Sequence, residues 1–132
     1  MLITKECDYG IRIIRALADG EKRTVKAICD IEHVPYKYAY KILKKLQKAG
    51  FVQNKLGPNG GYIRVMPLEA FSVYDVVHAV DKRLFLAECL RGNSECKHNI
   101  EGALCKIHAE LNRLQSLLIT EMKSRNITVV VE

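Results

Sequence analysis

Cys89, Cys96, Cys105 and His108 gather metal-ligand chemistry into one short stretch of the chain. Thiolates hold soft metals and iron-sulfur clusters, and three of them leave one coordination position for another donor. His108, at the start of the last expected helix, is the natural candidate. Zinc accepts the same Cys3His set, but structural zinc sites favour Cys-x-x-Cys knuckles, which this stretch lacks. Unliganded structural cysteines are the remaining reading. The total of five cysteines is odd, which argues against a disulfide framework. Cys7 and Cys29 fall on apolar helical faces and read as small buried hydrophobes. Of the other histidines, His33, His78 and His98, only His98 lies near enough in sequence to compete as a ligand.

A different chemistry lies upstream. Lys37, Lys41, Lys44, Lys45, Lys48, Lys55 and Arg64 follow one another with no intervening acid, while the rest of the chain carries 14 cations against 15 acids. The formal charge of +6 therefore belongs to one segment, the electrostatic footprint of a polyanionic partner. No acid-base constellation, phosphate-cradling loop or Cys-x-x-Cys redox pair supports an enzyme.

The elements that position these groups read as mainly helical. The spacing of Cys7, Ile11, Ile14 and Leu17 predicts a helix over Thr4 to Ala18, stopped by Gly20. A second helix follows Thr24 and is expected to bury Ala27, Ile28 and Ile31. The third takes Pro35 as its first helical position and ends before Gly50, with Ala39, Ile42, Leu43 and Leu46 as its apolar stripe. Lys37, Lys41, Lys44 and Lys48 fall on the opposite side, with Tyr36 and Tyr40 nearby. Phe51 to Leu56 and Tyr62 to Met66 predict two strands reversed through Gly57, Pro58, Asn59, Gly60 and Gly61. Ser72 and Asp75 form a capping box for a helix from Val73 to about Val80, with Phe71 stapling against Val76 and with Val73, Val76, Val77 and Val80 inward.

Leu84 to Leu104 reads as a loop with a short helix near its end. From Ile107 to Met122 apolar residues return almost as a heptad seam, and Leu117 and Ile119 widen it beyond what one core needs. That helix is expected to pair two copies through Leu111, Leu114, Leu118 and Met122. The tail from Ile127 to Val131 is β-prone.

Three helices and a hairpin, with the cations on the third helix and the hairpin, make the order of a winged helix-turn-helix. The expected fold is mainly α, with a two-stranded β wing and a long C-terminal dimerisation helix. Residues 1–83 form the DNA-binding domain, 84–108 the cysteine loop, and 109–132 the dimerisation helix and tail. A helix fits the major groove and lysines neutralise phosphates, so the expected partner is double-stranded DNA. The expected contacts are Tyr36, Lys37, Tyr38, Tyr40, Lys41, Lys44 and Lys45 on the helix, and Lys55, Asn59, Gly60, Gly61, Tyr62 and Arg64 on the wing. The start of the chain lacks the apolar core of a signal peptide and no stretch approaches the ~18 apolar residues of a membrane span, so a cytoplasmic location without a membrane partner is expected.

The run Leu56-Gly57-Pro58-Asn59-Gly60-Gly61-Tyr62, preceded by Ala49-Gly50-Phe51-Val52 and followed by Ser72-Val73-Tyr74-Asp75-Val76-Val77, resembles the wing signature of the Rrf family of bacterial regulators. Leu2-Ile3-Thr4-Lys5 through Ile11-Arg12 is similar to that family's start, and the resemblance spans essentially the whole chain. It implies a dimeric repressor that pairs through its elongated last helix. It also implies that Cys89, Cys96 and Cys105 bind a 2Fe-2S or 4Fe-4S iron-sulfur cluster, with His108 or Asp8 as fourth ligand. Loading or loss of that cluster would reshape residues 84 to 108 and thereby the spacing of two recognition helices on half-sites ~34 Å apart. Six residues separate the first cysteine pair and eight the second, longer than is typical of cluster-binding members. The family's cluster-free branch implies control by a partner protein or small molecule instead. Tyr40 and Lys41 also stand where members usually carry other polar residues, so no base preference carries over.

Overall fold

The computed structural model describes residues 3–92, 96–98 and 105–131. Helices α1 (Lys5–Ala16), α2 (Val25–Glu32) and α3 (Tyr36–Lys48) precede strands β1 (Val52–Lys55) and β2 (Gly61–Arg64), then α4 (Val73–Val80) and α5 (Lys106–Lys123). Local chemistry sets most of these starts by satisfying amides that the helix itself leaves without partners. Thr4 Oγ1 accepts from Cys7 N at 3.3 Å, and Thr24 Oγ1 accepts from Ala27 N at 3.1 Å. Ser72 and Asp75 close the expected capping box on α4. Pro35 stands one position earlier than expected, as the N-cap of α3, where its carbonyl accepts from Tyr38 N and Ala39 N.

The core lies where α1 packs across α3 and α4. Ile13, Ile14, Leu17, Ile42, Leu43, Leu46, Val76 and Val77 are withdrawn from water there. Each such side chain stabilises the fold by roughly 1.5–3 kcal/mol. Gly10 lets the helices approach, because a Cβ at that position would stand 2.7 Å from Val80 Cγ2. Ile13 rather than Ile11 occupies the centre of the α1 face, and Val73 is only half-buried.

Helix α2 is rotated relative to the expected face. Val25, Ile28 and Glu32 point inward, Ala27 is half-buried, and Ile31 is 52% exposed. Val25 and Ile28 supply the apolar part of that face, and Glu32 is accommodated on it by an ion pair that apolar periodicity does not register: Arg15 of α1 donates to both Glu32 oxygens, at 2.8 and 2.6 Å. That hydrogen bonding to Glu32 raises the Arg15 pKa above its ordinary value.

The strands pair antiparallel in the register Val52↔Arg64 to Lys55↔Gly61, each shorter than its sequence pattern. Gly57 has a φ of +113°, and Gly60 N donates to Gly57 O at 2.9 Å to close the reversal. A third partner extends the wing. Arg23 and Tyr62 exchange both backbone hydrogen bonds, at 2.9 and 2.7 Å, which ties β2 to the start of α2. A Cβ on Gly61 would stand 2.5 Å from Arg23 O, so this junction requires glycine.

After Leu84 the chain makes a 3-10 turn at Glu88–Leu90, and the short helix expected near the end of that stretch lies outside the described residues. Helix α5 packs against α4 and lays Ile119 and Met122 on the core. Met122, expected on the dimer seam, therefore contacts its own chain, while Ile107, Leu114 and Leu117 stay exposed. Among the described residues no helix is long and apolar enough to cross a membrane. The β-prone tail forms a 3-10 turn at Ile127–Val130 and is docked by Ile127 N donating to Phe71 O at 2.8 Å. Ile127 itself is fully buried. Replacing it with alanine is expected to destabilise the chain by about 2–5 kcal/mol in urea unfolding. A loss below about 0.5 kcal/mol, the size of an ordinary surface substitution, would contradict this docking.

Candidate nucleic-acid interface

Burial of one side of α3 leaves Lys37, Lys41, Lys44 and Lys48 exposed on the other. Tyr36 and Tyr40 stand beside them at the N-terminal end, their rings edge to face with centroids 4.9 Å apart. Tyr36 Oη donates to Tyr40 Oη at 3.0 Å, and this hydrogen bond raises the Tyr36 pKa. An open groove of about 370 Å³ separates this pair from the wing residues Asn54, Lys55, Leu56 and Gly60. Lys55 and Asn59 are exposed on the wing, and Leu56 is 91% exposed. The outward lysines of α3, with Lys55 on a ribbon of little side-chain bulk, are suited to a sugar-phosphate strand.

Several expected contacts are placed elsewhere. Tyr62 is 5% exposed and belongs to the core, where burial raises its phenol pKa. Arg64 donates Nη1 to Met66 O at 2.7 Å and Nη2 to Ala18 O at 3.2 Å. The cause is common to both. Side chains two apart on a strand share a face, and that face of β2 is turned toward the body of the protein. Tyr38 is half-buried, with its ring centroid 5.5 Å from that of Tyr9.

Two lysines of α3 are engaged within the chain. Lys45 Nζ donates to Val80 O at the end of α4 at 2.7 Å and reaches Glu6 Oε2 at 3.5 Å. Lys41 Nζ donates to Glu6 Oε1 at 3.0 Å. The hydrogen bond from Lys41, joined by the charges of Lys41 and Lys45, lowers the Glu6 pKa. Glu6 had no local signal in the sequence, since α1 and α3 meet only in the folded chain.

Among the cysteines, Cys89 sits in the Glu88–Leu90 turn, Cys105 caps α5, and His108 lies in the first turn of α5. These residues and Cys96 are all half-buried. The turn packs against α5, and Leu86 N donates to Gln115 Oε1 at 2.9 Å. Among the described residues, no three His, Cys, Asp or Glu side chains are gathered as a metal-holding group. Asp8 accepts from Arg12 Nε at 3.1 and 3.0 Å. Cys7 is buried, and burial raises the pKa of the half-buried Cys29 thiol.

Over residues 3–132 the chain matches the Rrf2 family model, described as an iron-dependent transcriptional regulator. It belongs to the Rrf2 family. Its class is thus DNA-binding transcriptional regulation, not catalysis. A Haemophilus influenzae protein named as an HTH-type transcriptional regulator is 29% identical over 122 residues, covering 89% of this chain and 81% of its own. The oxidized form of CymR from Staphylococcus aureus superposes with a TM-score of 0.74 at 20% identity, covering 100% of this chain and 97% of that one. T. potens IscR does so with a TM-score of 0.73 at 17% identity, covering 96% and 82%. These two likenesses establish the winged fold along the chain.

If Lys37 and Lys44 meet phosphates, Lys37→Ala and Lys44→Ala each weaken binding to duplexes of any sequence and flatten the log-log salt dependence by about 0.9. Arg64→Ala is expected to lower thermal stability and leave that slope unchanged. Fluorescence anisotropy across a salt series checks both, and an equal flattening by Arg64→Ala would contradict the placement of its side chain.

Proposed function

We propose that this Rrf2-family chain is a homodimeric repressor that grips double-stranded DNA with α3 and the wing of each protomer, under control of an iron-sulfur cluster. The exposed lysine face of α3 beside the glycine-tipped wing carries the DNA reading. A helix of these dimensions enters the major groove while the wing rides the backbone. Exposed Leu114 and Leu117 on α5, with Leu111 and Leu118 half-buried, support a second copy as the partner of that helix. Pairing there sets the separation of the two α3 helices.

Three thiols and an imidazole are suitable donor chemistry for the cluster. Cys89, Cys96 and Cys105 would hold it, and His108 is the better fourth donor because Asp8 is engaged by Arg12. When bound, such a cluster supplies an iron site that responds to redox state and to iron supply. The residues of the chain transmit that state. Cys89 and Cys105 would hold the cluster from the Glu88–Leu90 turn and the N-cap of α5, two elements already packed together and joined by the Leu86–Gln115 hydrogen bond. Because α5 is the dimer helix in this reading, a change at that junction would bear on the span between recognition helices.

A second reading has one observation in its favour: the thiols are not gathered among the described residues. In that case the regulator carries no cluster and answers to a small molecule or a partner protein. Absorption and iron content of anaerobically purified protein separate the two. The cluster reading predicts a brown, iron-containing protein with visible charge-transfer bands that Cys96→Ala largely removes. Colourless protein free of iron and zinc that still binds duplex DNA would support the second reading, colourless zinc-containing protein would point to a structural zinc site, and unchanged colour in Cys96→Ala would remove Cys96 from the ligand set.

A further inference from the structure

The cations of α3 are not equivalent, because one carboxylate from α1 lies against two of them. Glu6 is held there firmly. Its neighbour Cys7 is buried in the core, Thr4 caps the same turn, and α1 packs along α3. The two oxygens divide, Oε1 to Lys41 at 3.0 Å and Oε2 to Lys45 at 3.5 Å. Lys45 is also bound by Val80 O, so it is committed to the protein whatever Glu6 does. Lys41 differs: its side chain is 57% exposed, and Glu6 is its sole ion-pair partner among the described residues.

We propose that Glu6 acts through Lys41 as an internal stand-in for a DNA phosphate, holding down the affinity of α3 for duplex DNA. The proposal rests on the DNA-binding reading of α3. An exposed pair of this kind contributes little to folding stability, so its main consequence is electrostatic. Sequence-independent binding consists almost wholly of cations displacing counterions from phosphates. A carboxylate that already neutralises Lys41 competes with a phosphate for the same ammonium. Among the described residues, Lys37, Lys44, Tyr36 and Tyr40 make no hydrogen bond or ion pair with Glu6, so its charge acts on Lys41 and Lys45. Masking one cation per protomer therefore removes one phosphate contact and lowers affinity for duplexes of any sequence about equally.

Glu6→Gln tests this, because it removes the charge and keeps the shape. The probe is a labelled duplex of arbitrary sequence, titrated by fluorescence anisotropy over a salt series with intact wild-type and variant chains. For Glu6→Gln the expected log-log slope is steeper by about 0.9 per bound protomer, with affinity at low salt raised about 3- to 10-fold. Lys41→Gln alone leaves the slope near that of wild type, and adding it to Glu6→Gln cancels the gain. An unchanged slope or weaker binding in Glu6→Gln overturns the proposal, as does a gain that survives loss of Lys41. Absence of salt-sensitive binding in the wild type would instead overturn the DNA-binding reading beneath it.

Discussion

The rotation of α3 about its own axis governs the rest of the molecule's surface chemistry. Ala39, Ile42, Leu43 and Leu46 are fully buried against α1 and its neighbours. Turning the helix by one residue position would expose part of that stripe and push lysines into the core, at a cost of several kcal/mol. The lysine face is therefore fixed by apolar packing on the opposite side, without any contact among the lysines themselves. The close approach at Gly10 and the Arg15–Glu32 pair keep the other helices in register with this arrangement.

Electrostatics then divides the cations by their surroundings. Arg64 and Lys45 satisfy backbone carbonyls, which a folded chain must pair with some donor. Lys41 is shared with Glu6, while Lys37, Lys44, Lys48 and Lys55 remain outward. The acid-free run in the sequence thus overstates the charge available to a duplex. What remains is still concentrated on one helix face and one ribbon, the arrangement that a phosphate backbone requires.

Features dictated by neighbours a few residues apart were legible in the sequence. The caps at Thr24 and Ser72, the apolar stripe of α3 and the glycine reversal of the wing all depend on local spacing. Features made by distant partners were not. Glu32 is paired with Arg15 on an inward face, Arg23 extends the wing because α2 begins beside β2, and Ile127 is buried because Phe71 receives the tail. The same limit applied to the candidate site. Alternation along β2 placed Tyr62 and Arg64 on one face, but only the packing of the body decided that this face is the inner one. The cysteines offer soft-donor chemistry by residue type, whereas their mutual geometry is not something sequence spacing dictates.

The central claim is that the outward lysine face of α3, set beside the wing, binds a duplex by neutralising phosphates. Its most direct test is the binding constant of the unmodified protein for duplex DNA, measured over a graded salt series. The account predicts a straight log-log line falling by about 0.9 for each phosphate neutralised, and therefore a steep loss of affinity as salt rises. Binding that is absent, or that does not change with salt, would contradict it.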